Sequence, residues 1–152
     1  MHAYEAGSGG RQTLVVVMDE GDEAMAALTQ AVREHGITAA QVTAVGGFRS
    51  AELGFYDPDR LEYDRIPVQE QAEVLNLVGD VAASNGQATP HLHTVLGRRD
   101  GSTVGGHLLR GDVWPTLEVI VTEVPAELAK TTDPRTGVAT INLPDPHARH
   151  VG

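Results

Sequence analysis

Apolar residues in this chain fall into short runs and alternations, a pattern that predicts strands. Residues 14–18 (Leu-Val-Val-Val-Met) form a β-branched run closed by Asp19, Glu20, Gly21 and Asp22. This punctuation marks a strand end and a helix start, with Asp22 as the N-cap. From 23 to 35 the period changes: Met25, Leu28 and Val32 recur at three and four, and Gly36 follows as a stop, so one main helix is expected here. Residues 37–45, interrupted at Gly46-Gly47, read as a strand, 48–56 as another, and 61–68 as a partly polar third. Within 73–82, Leu75, Leu77, Gly79 and Val81 alternate with Asn76, Val78 and Asp80, as a strand with one buried face requires. Asn85-Gly86 is a strong turn signal. Two further strands, 91–97 and 103–109, flank Asp100-Gly101, and 117–124 is the last apolar strand, with Trp114 before it as a loop residue over the core.

These elements sum to an α+β fold: a single antiparallel sheet of seven or eight strands, half-barrel-like, with one main helix. Residues 1–10 are Gly-rich and expected to be flexible, 11–125 form the domain, and 126–152, with Pro134, Pro144 and Pro146 and few core residues, form a surface-hugging or mobile tail.

Composition narrows the picture. The 152 residues suit one domain, and 41% hydrophobic with 4% aromatic residues means a core of Val, Leu, Ile and Ala. A net charge of −10 argues against nucleic acid or anionic membrane as a direct partner. No cysteine occurs, which excludes disulfides, thiolate metal sites and a cysteine nucleophile. No stretch approaches the ~18 apolar residues of a membrane span, and the N-terminus lacks the apolar segment of a signal peptide, so a cytoplasmic protein is expected.

The candidate chemistry lies in three of the seven histidines. His91 and His93 alternate on one expected strand, so they project from one side with roots ~6.5–7 Å apart, and His107 follows on the next. Neutral imidazoles suit zinc, iron, nickel or cobalt, zinc foremost, and three of them leave a coordination position open. An isolated His-x-His pair more often reflects plain strand alternation; the third histidine shifts the weight toward a metal. For His107 to share the face of the pair, a three-residue loop Arg99-Asp100-Gly101 should set Arg98 opposite Ser102 and His107 opposite His93. A two-residue turn with a bulge at Gly105-Gly106 would restore the same face. Such a site should hold metal at pH 7.5 and weaken below about pH 6. Arg49 and Glu118 are charged strand residues that could pair with each other or, in an enzyme, serve the metal as catalytic companions. His147 and His150 read as surface histidines of the tail.

Several strings go beyond periodicity: Ala44-Val45-Gly46-Gly47-Phe48-Arg49-Ser50-Ala51-Glu52-Leu53-Gly54-Phe55-Tyr56, Glu73-Val74-Leu75-Asn76-Leu77-Val78-Gly79-Asp80-Val81, Pro90-His91-Leu92-His93, Gly105-Gly106-His107-Leu108 and Thr116-Leu117-Glu118-Val119-Ile120. Together they resemble the plant and prokaryote conserved (PPC) domain family over about residues 11–124, in the manner of its stand-alone prokaryotic members. The resemblance implies an antiparallel sheet flanked by a helix, a homotrimer, and a metal bound by His91, His93 and His107. In plants the domain looks like an interaction module joined to an AT-hook that grips DNA; this chain carries no Arg-Gly-Arg-Pro hook. The architecture is also similar to that of acetolactate decarboxylase, a zinc enzyme with a His-x-His pair and a later single histidine. Three functions follow, in descending order. The first is a metal-binding trimer with an interaction or regulatory role and a protein or small-molecule partner. The second is a metal-dependent lyase acting on a small keto or hydroxy acid, with Arg49 holding a carboxylate and Glu118 moving a proton. The third is a DNA-associated regulator.

Overall fold

The structure is a computed structural model describing residues 1–8, 11–124 and 127–142. Its elements are β1 (His2–Ser8), β2 (Arg11–Asp19), α1 (Ala24–Glu34), β3 (Ala40–Asp57), β4 (Glu62–Val68), β5 (Ala72–Ser84), β6 (Gln87–Gly97), β7 (Thr103–Glu123), β8 (Ala129–Thr132) and β9 (Ala139–Asn142). The α+β class with one main helix stands, but among the described residues the sheet has nine strands and is mixed, because β8 runs parallel to β5 through a bridge at Ala83 and Ala129. β6 pairs with both β5 and β7, and β3 with both β5 and β7, so these four strands close a circuit. Outward from it, β2 and then β1 extend the sheet from β7, β8 and then β9 from β5, and β4 pairs with β3.

The break expected at Gly46-Gly47 is a bulged stretch of one continuous strand instead. Gly46 and Gly47 interrupt the ladder without ending the strand: the register of β3 shifts between Ala44 and Gly46 against β5 and between Gly46 and Phe48 against β7. A Cβ on Gly47 would come within 2.5 Å of the Trp114 carbonyl, so only glycine lets β3 and β7 approach this closely. Trp114 is accordingly a strand residue of β7 and not part of a loop. Another bulge, between Val74 and Asn76, moves Leu75 off the core face; it is 55% exposed, while Val74, Leu77 and Val81 are buried.

Both ends carry strands. Residues 2–8 form an edge strand registered on β2 from His2 opposite Val17 to Ser8 opposite Arg11. The tail supplies the β8–β9 hairpin. His147 and His150 lie outside the described residues. The helix N-cap is Glu23 rather than Asp22: the Glu23 carboxylate accepts from Met25 N at 3.1 Å, Ala26 N at 2.9 Å and Gly111 N of β7 at 3.1 Å, tying the helix start to the sheet. Asp22 instead accepts from Asp19 N and pairs with the terminal amine at 2.9 Å. Ala24, Ala27, Leu28, Ala31 and Val32 face the core, and the small alanines let the helix lie close on strands rich in Val and Leu.

The core lies on one face of the curled sheet. On β6 the even-numbered residues Ala88, Pro90, Leu92, Thr94 and Leu96 are buried, so the odd-numbered residues, including His91 and His93, face away from the core.

Candidate metal centre

Two hairpins set the site. Arg98 N donates to Ser102 O at 2.9 Å, Gly101 N donates to Arg98 O at 3.0 Å, and Gly101 takes φ +83, so the β6–β7 connection is the three-residue loop with a left-handed glycine. Counting back from Gly97 opposite Thr103 puts His93 opposite His107 on the outward face. The other hairpin, β5–β6, turns through Asn85 and Gly86, both with positive φ (50 and 76), so Ser84 pairs with Gln87 and Asp80 stands opposite His91.

The three imidazoles converge. One nitrogen from each of His91, His93 and His107 lies within 4.8 Å of the others, and the ring centroids are 5.0–5.3 Å apart. Among the described residues, this is the group of His, Cys, Asp or Glu side chains arranged to hold an ion. His107 Nδ1 is buried with no hydrogen-bond partner among the described residues. A buried imidazole nitrogen left unpaired is costly unless something else engages it, and a metal ligand bond does so. The donor set therefore fits a transition metal. Burial, and then the neighbouring His91, His93 and Lys130, push the His107 imidazole down to about 4; burial followed by His91 lowers His93 as well. Both shifts favour the neutral, ligating form.

The surroundings hold residues that sequence reasoning passed over. Tyr63 of β4 stacks on His107 with centroids 4.7 Å apart and planes at 22°, and Tyr56 meets Tyr63 edge-on at 5.1 Å. Gly54, opposite His107 on β3, leaves room for this: a Cβ there would lie 2.7 Å from the Tyr63 ring. Asp80 Oδ2 is 3.5 Å from His91 Nδ1, and Asp80 Oδ1 is 2.5 Å from Lys130 Nζ. Burial works to raise the Asp80 carboxyl, but the His91 and Lys130 contacts outweigh it and hold the group below the usual carboxylate range. The Asn85-Gly86 turn carries the signal for Asp80, since a two-residue turn at that place dictates its position opposite His91.

Arg49 and Glu118 are placed elsewhere. Arg49 is exposed and pairs with Glu20. Glu118 is an exposed residue opposite Val17 and Val45, in a groove lined by Val15, Val17, Val45 and Ile120. The two are not paired with each other, because each points out from a part of the sheet where solvent or another partner is at hand.

A family model described as the Plants and Prokaryotes Conserved (PCC) domain matches residues 4–125. No functionally curated protein matches the chain. Among solved structures, a metal-containing protein from Archaeoglobus fulgidus is 30% identical, with a TM-score of 0.81 over 94% of this chain and 100% of that one. A protein from Ralstonia eutropha JMP134, named as a candidate DNA-binding protein, is 27% identical, with a TM-score of 0.84 over 93% of this chain and 96% of that one. A plant- and prokaryote-conserved (PPC) protein from Pyrococcus horikoshii, at 23% identity, shares the fold with a TM-score of 0.82 over 95% of this chain and 96% of that one. With the match spanning most of the chain and every strand of the closed circuit, this protein belongs to the Plants and Prokaryotes Conserved domain family.

Proposed function

We propose that this protein is a metal-binding homotrimer in which His91, His93 and His107 hold a divalent transition metal, zinc foremost, and that its role is interaction or regulation in the cytoplasm. The observation that carries the reading is the convergence of three imidazoles to within 4.8 Å on one sheet face. The metal-containing relative at 30% identity supports it. A bound ion would supply Lewis acidity at its open position. Around that position the chain's own residues keep His93 and His107 neutral, brace the His107 ring with Tyr63, and engage His91 Nδ1 with Asp80.

The trimer is supported by the outward face itself. Val45, Leu75, Val78, Val95 and Ile120 are each at least 40% exposed there, an apolar surface that neighbouring copies would cover. Direct binding to duplex DNA is not part of the proposal, because the chain carries 11 basic against 21 acidic residues.

A metal-dependent lyase acting on a small keto or hydroxy acid is the second reading. It is favoured by a pocket of about 230 Å³ that opens onto His91. Its walls include Tyr56, Tyr63 and Lys130, so within one chain these, rather than Arg49 and Glu118, are the groups beside such a ligand.

X-ray fluorescence of purified protein reconstituted at pH 7.5 tests the main reading. One transition metal per chain, lost in His93→Ala with the fold retained, is expected; a protein that takes up none would overturn it. Incubation with small keto and hydroxy acids, followed by product analysis, separates the lyase from the regulator.

A further inference from the structure

Beside the histidine triad, the chain brings a cation from its C-terminal hairpin. Lys130 of β8 lies past residue 125, where the family match ends. Its side chain is only 7% exposed, and its ammonium sits 2.5 Å from Asp80 Oδ1. An ammonium so far removed from water needs a counter-charge, and Asp80 is the one it meets. The hairpin that carries it is docked at three places. Ala83 N donates to Leu128 O at 2.8 Å, the Tyr56 hydroxyl donates to the Thr136 carbonyl, and Val138 joins Tyr56, His91 and Lys130 in lining the pocket.

On the other side, Asp80 Oδ2 faces His91 Nδ1 at 3.5 Å. A carboxylate held beside an ammonium is ionised and only accepts, so the nitrogen turned toward it is the one that carries the proton. The remaining nitrogen, Nε2, is then the free ligand atom.

Resting on the three-histidine metal reading, we propose that Lys130 is a positioning residue of the metal centre: its ammonium orients Asp80, and Asp80 holds His91 as the Nδ1–H tautomer with Nε2 free for the ion. The C-terminal hairpin is thereby a working part of the site. Carboxylate partners of metal-bound histidines fix both tautomer and ring orientation, and their removal lowers metal affinity by about 10–100-fold. Lys130 acts one contact further back, so its removal should cost about 10-fold, the lower end of that range.

The test combines zinc affinity, by competition with a chromogenic chelator at pH 7.5, with the His91 tautomer read by long-range 1H–15N NMR on metal-free protein. Lys130→Met is expected to bind zinc about 10-fold more weakly and Asp80→Asn at least as weakly, with His91 shifting from pure Nδ1–H to a mixture of tautomers in both. Lys130→Arg should restore the tautomer at least in part. If Lys130→Met does not fold, Lys130→Gln and Asp80→Asn carry the comparison. Unchanged zinc affinity and an unchanged tautomer in these variants would overturn the role of Lys130 while leaving the metal centre standing. If the unsubstituted protein takes up no zinc, the metal reading fails, and the tautomer measurement still decides whether Lys130 and Asp80 set His91.

Discussion

At the scale of single residues, the site depends as much on side chains that are missing as on those present. Gly79 stands opposite Leu92 on the β5–β6 ladder, and a Cβ there would run into the carbonyl of the adjoining His91 and lie 2.9 Å from a Leu92 methyl. Gly79→Ala must therefore push β6 away and carry His91 with it. A loss of about 1–3 kcal/mol in stability is expected, together with weaker metal binding, and urea denaturation with chelator competition on the same variant reads both. His107 makes a second prediction, on pH. Its folded value, pushed down to about 4 chiefly by burial, lies below the ordinary value near 6.5. The unfolded chain then binds the proton more readily than the folded one. In metal-free protein the His107 contribution to stability should be fully present above pH 6.5 and be lost progressively as the pH falls toward 4. His107→Gln should flatten that dependence, measured as the urea midpoint between pH 7.5 and 4.5.

At the scale of elements, the two hairpins that assemble the site are local devices. Gly101 at φ +83 closes the loop that puts His107 opposite His93. Gly101→Val should cost about 1–3 kcal/mol through left-handed strain, visible in thermal melts, with metal affinity falling as the loop distorts. This register was legible from the chain alone, because turn chemistry and a period of two leave few ways to bring three histidines to one face. The partner of His91 was passed over, although the Asn85-Gly86 turn carries the signal that sets Asp80 opposite it. What was not legible has physical reasons. β1 is an almost fully exposed edge strand held to β2 by backbone pairing, so it carries no hydrophobic alternation to read. β8 and β9 are four residues each and are paired to the main sheet by a single β-bridge, and the contact that matters, Lys130 with Asp80, spans fifty residues of sequence. The nominations of Arg49 and Glu118 rested on the cost of an unpaired charge in a strand, but both strands present those residues to solvent, where that cost vanishes.

At the scale of the whole molecule, the curled sheet spends one face on the core and leaves an apolar surface on the other. Val45 and Ile120 are 55% and 48% exposed. Light scattering at micromolar concentration should show three times the mass of one chain, and Val45→Asp combined with Ile120→Asp should reduce it to the monomer; a monodisperse monomer of the unsubstituted protein would remove the trimer. The acidic balance of the chain, −10, should likewise leave a random DNA duplex unshifted at physiological salt. The central claim is narrower than either: that His91, His93 and His107 together hold one metal ion. It is tested most directly by titrating zinc into metal-free protein at pH 7.5 against a chromogenic chelator. The expected result is one tight site per chain, lost in His93→Ala without loss of the fold. Contradiction would be the absence of a tight site in the unsubstituted protein, or equal binding by the His93→Ala variant.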